Sequence, residues 1–76
     1  MADLEELAGR LESIAEDLAD AALDVLRRNA DVVRSAGAPD PALVAEEKRL
    51  TRARRAVEKA AGLLGGGAHG GLDEGP

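Results

Sequence analysis

The amino-acid sequence predicts an all-α fold, an antiparallel two-helix hairpin followed by a disordered, glycine-rich C-terminal tail. Two heptad patterns of apolar residues flank a short segment that contains one glycine and two prolines, and the chain has no Phe, Tyr or Trp. Val, Ile and Thr, which favour strands, total only seven of 76 residues. We therefore expect a long helix over about 3–36 and a second helix over about 41–64, associating into a helical bundle.

The first helix has clear start and stop signals. Asp3 is a suitable N-cap, and Glu6 follows three residues later, as in a capping box. Gly37 and Pro39 favour an end near residue 36. A break at 29–31 (Asn-Ala-Asp) is the alternative, but the apolar pattern keeps its phase beyond that point, which favours one continuous helix. Two sets of apolar residues recur every seven positions: Leu4, Leu11, Leu18, Val25 and Val32, and Leu7, Ile14 and Ala21.

The turn and the second helix are equally well marked. Asp40 is a good N-cap, and Pro41 fits the first helical position, where its missing N–H costs nothing. Because the turn is short, the two helices must pack antiparallel. The apolar heptad of the second helix consists of Leu43, Leu50, Val57 and Leu64.

The chain divides into a hairpin over residues 1–64 and a tail over residues 65–76. Six of the twelve tail residues are glycine. Such a segment buries too little apolar surface to offset the entropy of ordering, so we expect it to be disordered.

Charge and cysteine content exclude several classes of protein. The net charge is −5, and the first 26 residues alone carry eight acids against one base. The absence of cysteine excludes disulfides and thiolate metal sites. No apolar run is long enough to span a membrane, and the N-terminus is acidic where a signal peptide would be basic. We therefore expect a cytoplasmic protein with no membrane partner.

The turn predicts which residues of the two helices face each other. With its centre near residue 39, facing positions have numbers that sum to about 78. This register places Leu64 opposite Ile14 and Val57 opposite Ala21. The second helix would then end before the N-terminal turns of the first.

An interaction surface follows from that register. Leu4, Leu7 and Leu11 would have no partner within the hairpin, and burying one leucine stabilises by roughly 1.5–3 kcal/mol. A frayed N-terminal turn is one interpretation. The alternative is a binding surface, covered by a second copy in a four-helix bundle or by a helix of a larger partner.

A basic segment suggests a second kind of partner. Five of the eight residues at 48–55 are bases, and such a cluster could bind phosphate or nucleic acid. The chain is acidic overall, however, has no aromatic side chain for stacking bases, and its helical phase spreads several of these bases around the helix. We therefore rank nucleic-acid binding below protein binding. The candidate residues are Lys48, Arg49, Arg52, Arg54 and Arg55.

No residue pattern indicates catalysis, a cofactor or a metal site. His69 is the only histidine, and it lies in the glycine-rich tail. The three hydroxyl residues, Ser13, Ser35 and Thr51, have no histidine within helical reach, so Ser–His catalysis is not supported. Carboxylate pairs such as Glu12 with Glu16 lack the Glu-x-x-His motif of di-iron bundles. We do not expect an enzyme.

The sequence therefore predicts a small protein–protein interaction module. The expected partner is the protein itself, as a homodimer or four-helix bundle, a larger protein, or both. In architecture alone the hairpin resembles the small helix-turn-helix hairpins of the secreted type VII class. It lacks the Trp-x-Gly turn of that class and is shorter.

Overall fold

The computed structural model describes residues 3–65 and contains two antiparallel helices. Helix α1 spans Leu4–Ala36 and helix α2 spans Pro41–Gly65. The predicted all-α hairpin is confirmed, with both helices within one residue of the predicted bounds. The first helix runs through residues 29–31 without a break. The predicted tail began at residue 65, which is instead the last residue of α2, and its remaining residues, 66–76, lie outside the described residues.

The N-terminus of α1 is capped by the residue that the sequence indicated. The Asp3 carboxylate accepts hydrogen bonds from the backbone N–H groups of Glu5 at 3.0 Å and Glu6 at 3.3 Å. The Glu6 side chain is directed to Arg10, at 3.4 Å. The Asp3 half of the predicted capping box is therefore present, and it supplies acceptors for two of the N–H groups that every helix leaves unpaired.

The turn is held by two local hydrogen bonds and one long-range hydrogen bond. Gly37 adopts a left-handed conformation with φ 84°, and its N–H donates to the Val33 carbonyl at 2.8 Å. The Asp40 carboxylate accepts from the Ala42 N–H at 2.9 Å. The Asp40 N–H in turn donates to Asn29 Oδ1 at 2.8 Å. Asn29 is half-buried, so one side chain of α1 fixes the start of α2.

The core consists of small residues. The five buried residues within 3–65 are four alanines and one valine, and each is 3–7% exposed. No leucine or isoleucine of the described chain reaches that degree of burial. With alanines between them, the helix backbones approach closely and the larger side chains lie at the margins. The buried residues are Ala8, Ala15, Ala22, Val25 and Ala61.

The predicted register is wrong by about one helical turn. Extended to residue 65, the predicted register would place it opposite residue 13, but a Cβ built at Gly65 would lie only 2.9 Å from the Ala8 Cβ. Ile14, which was expected to face Leu64, is 47% exposed, and Ala21 is also exposed. The hydrogen bond between Asn29 and Asp40 explains the shift, because it holds the start of α2 beside α1 well before α1 ends. Every residue of α2 is thereby moved toward the N-terminus of α1.

Neither helix within residues 3–65 is long and apolar enough to cross a membrane.

The close contact at Gly65 predicts opposite effects for two glycine substitutions in α2. Gly65→Ala should destabilise the hairpin, because the new methyl group would overlap the Ala8 side chain. Gly62→Ala should stabilise it by about 0.5–1 kcal/mol, because nothing lies within 4 Å of the added Cβ and alanine has the higher helix propensity. Thermal unfolding followed by circular dichroism would measure both. A gain in stability for Gly65→Ala equal to that for Gly62→Ala would contradict the close approach.

The bond between Asn29 and Asp40 predicts a second pair of effects. Asn29→Ala should lower the free energy of unfolding by about 0.5–1.5 kcal/mol, although alanine is the better helix former, because the Asp40 N–H loses its acceptor. Asn29→Asp keeps an acceptor oxygen at the N-terminus of α2 and should retain most of the stability. Urea unfolding of the two variants tests this difference. Equal loss in both would show that the hydrogen bond does not stabilise the turn.

Candidate functional site

The contact between the helices runs along a column of small residues. Ala8, Ala15 and Ala22 recur every seven residues along α1, and Ala61 of α2 packs on the same interface. Seven residues make nearly two helical turns, so this alanine column keeps to one side of α1. Side chains one or four positions away lie about 100° or 40° around the helix, on one flank of the column or on the other.

One flank is a shallow groove with charged walls. The groove is lined by Glu12, Glu16 and Ala19 of α1 and by Arg54, Glu58 and Gly62 of α2. Arg54 donates to Glu58 at 3.0 Å, and its side chain is 30% exposed. Along the groove, both helices therefore present mainly polar and small residues.

The opposite flank carries large apolar side chains from both helices. On α1 they stand one or four positions before the members of the alanine column, which places them about 40–100° around the helix, away from the groove. The corresponding residues of α2 lie on the same side of the hairpin, because the groove occupies the other. We call this surface the leucine face, and its members are Leu4, Leu7, Leu11, Ile14 and Leu18 of α1 and Leu50, Val57 and Leu64 of α2.

Every member of the leucine face remains accessible to some degree. Leu4 is 52% exposed, Ile14 47% and Leu64 37%. The other five are half-buried. Exposed and half-buried side chains at spacings of three and four residues form a continuous apolar strip along α1. Such a strip can receive the side chains of another helix.

The predicted surface of Leu4, Leu7 and Leu11 is contained in this face, but its environment differs from the prediction. The second helix reaches Ala8 and does not stop short of it. Leu7 and Leu11 are consequently half-buried, while Leu4 is exposed. The accessible apolar surface is therefore longer than predicted and includes residues of α2. The sequence did contain a signal for the α2 members, because Leu50, Val57 and Leu64 recur every seven residues. The predicted register instead used these residues to cover the apolar heptad of α1.

A smaller apolar stripe lies on the groove side of α1, near the turn. Leu23, Leu26 and Val33 are 44%, 49% and 40% exposed. They follow the alanine column and Asn29 by one or four positions, so they lie on the flank opposite the leucine face.

The structure brings together three of the five predicted basic residues. Lys48, Arg52 and Arg55 line one shallow depression with Glu47 and Thr51. Arg49 is exposed but does not line this depression, and Arg54 is directed to Glu58 in the groove. These three residues are spaced four and three apart and so share one outer stripe of α2, although the five bases taken together are spread around the helix.

The hydroxyl groups of Ser35 and Thr51 have structural partners. Ser35 Oγ donates to the Asp31 carbonyl at 3.0 Å, and Thr51 Oγ1 donates to Glu47 at 2.8 Å. Ser13 is exposed. Among residues 3–65, no group of three or more His, Cys, Asp or Glu side chains is placed to hold a metal ion. His69 lies outside the described residues.

Comparison with known proteins assigns this chain to no family. No protein-family model, curated protein or solved structure matches this chain.

Proposed function

We propose that this chain is a helical protein–protein interaction module that binds through its leucine face, either to itself or to a larger protein. The observation that supports this most directly is the composition of the core. Within residues 3–65 only alanines and one valine are buried, while every leucine keeps part of its surface accessible. A hairpin that leaves its leucines at the margins gains further burial when another helix covers them.

The arrangement of the leucine face supports helix docking in particular. Its α1 members are spaced three and four residues apart, which is the spacing used by helices that insert side chains between those of a partner. A leucine side chain that is about half exposed can contribute about 1 kcal/mol when its remaining surface is buried. Several such side chains must act together to offset the cost of association, which is about 4–15 kcal/mol. A weak to moderate complex is therefore expected.

Ile14→Asp provides the sharpest test of this surface. Ile14 lies in the middle of the α1 strip and is 47% exposed, so an aspartate there should disturb the partner more than the hairpin itself. Leu26→Asp is the matched control, because Leu26 is 49% exposed on the same helix but on the opposite flank. We expect wild type and Leu26→Asp to self-associate with Kd values of about micromolar, and Ile14→Asp to weaken association by at least about a hundredfold. Analytical ultracentrifugation over a concentration series measures this.

Two outcomes would contradict parts of the proposal. Equal behaviour of the Ile14→Asp and Leu26→Asp variants would show that the leucine face is not the contact surface. A wild type that sediments as a monomer at about a hundred micromolar, well above the expected Kd, would rule out self-association. The leucine face would then serve a larger partner, and affinity capture with wild type and Ile14→Asp as paired baits would test that role.

A small nucleic-acid-associated protein is the second candidate, because Lys48, Arg52 and Arg55 share one exposed stripe. The stripe contains Glu47, and the chain carries a net charge of −5, so its attraction for phosphate is weak. We expect no measurable binding of labelled DNA or RNA by fluorescence anisotropy at about 0.15 M salt. A complex that weakens with salt, and that is lost on replacing these three bases by alanine but kept in Arg49→Ala, would favour the second candidate.

A further inference from the structure

The hairpin is electrically asymmetric along its length. Its principal extent is 52 Å, with the turn at one end and both helix termini at the other. The terminal half, residues 3–20 and 54–65, carries eight acids and four bases, a net charge of −4. The turn half, residues 21–53, carries five acids and six bases, a net charge of +1. Most of this asymmetry arises on α1, because residues 3–20 of that helix hold seven acids and only one base.

A second copy can cover the leucine face in two symmetric ways. If the two-fold axis runs along the helices, both turns lie at the same end, and α1 packs on α2 of the partner. If the axis runs across the helices, the turns lie at opposite ends, and α1 packs antiparallel on α1 of the partner. Both arrangements are closed and bury the same face on each copy.

The charges distinguish these arrangements. Stacking with the turns together places the −4 half on the other −4 half and the +1 half on the other +1 half, so both contacts are repulsive. Stacking with the turns apart places each −4 half on a +1 half, so both contacts are attractive. Complementary charge of this kind selects orientation more than it adds affinity.

We propose that the partner of the leucine face is a second copy of this chain stacked with its turn at the opposite end, forming an antiparallel four-helix bundle. This inference rests on the proposed function. Nearly full overlap of the two long helices places the two-fold axis between residues 19 and 20, close to the midpoint of Leu4–Ala36. Leu18 of one copy then lies opposite Ala21 of the other, and the half-buried Leu7 lies opposite the half-buried Val32. The two-fold symmetry repeats these two apolar contacts, once in each half of the bundle.

Distances between spin labels on the two copies test the orientation. The chain has no cysteine, so Glu6→Cys and Asp20→Cys each introduce a single labelling site. Both residues are exposed, each substitution removes one acid, and the two positions are fourteen residues apart, or two heptads, so they share one helix face. In the proposed bundle the labels at position 6 are about 40 Å apart along the axis, while those at position 20 have almost no axial separation. Double electron–electron resonance of each variant, above its sedimentation Kd, measures both distances.

The distance at position 6 should exceed that at position 20 by about 20 Å or more once the lateral separation is included. Raising the salt concentration should also weaken the dimer several-fold, because it screens attractive contacts. Equal distances at the two positions, or a dimer strengthened by salt, would overturn the opposite-end arrangement while leaving the leucine face as the contact surface. Absence of any intermolecular distance, with monomeric sedimentation, would overturn the inference and the self-association behind it.

Discussion

The close approach of the two helices along the alanine column is the constraint on which the rest of the structure depends. Ala8 and Gly65 come so near that a single added methyl group at residue 65 has no room. At such a distance the centre of the interface accepts only small side chains. Leucines that would fill the core of a wider helix pair are displaced to its margins. The accessible apolar face is therefore a direct result of how tightly this hairpin closes.

The second helix shows the same constraint from the other side. Arg54 and Glu47 occur seven residues apart in the series that leads to Ala61, at positions where a larger core would hold apolar residues. Both are half-buried, and each has a partner on its own helix, Glu58 for Arg54 and Thr51 for Glu47. Long charged side chains can lie along the margin of an interface with their ends in water. Polar residues can therefore lie at the margin of this narrow interface, because each has a hydrogen-bond partner on its own helix.

The helix ends could be predicted from the sequence because they depend on local chemistry. Asp3, Gly37 and Pro41 act within one turn of their own positions, so their effects are visible without knowledge of the fold. The register could not be predicted in the same way. It depends on a hydrogen bond between Asn29 and Asp40, eleven residues apart, and nothing in the apolar pattern marks Asn29 as the acceptor.

The leucine face was predicted only in part, for a related reason. Three adjacent columns of α1 contain apolar or small residues, and the heptad pattern does not say which of them the partner helix covers. The leucine columns have the larger side chains, but close packing places the alanine column at the centre of the contact instead. Leu4 is exposed as expected, whereas Leu7 and Leu11 are half-buried because α2 extends closer to the N-terminus of α1 than the predicted register allowed.

Electrostatics contributes little to the contact between α1 and α2, and this leaves the charges free to act between molecules. The four ion pairs within residues 3–65 each join residues three or four apart on one helix, and none joins α1 to α2. Exposed pairs of this type contribute at most about 1 kcal/mol. The hairpin therefore closes through small-residue packing and the Asn29–Asp40 hydrogen bond. The uneven placement of acids along α1 is not needed for that closure, and its largest physical effect falls on whatever molecule lies over the leucine face.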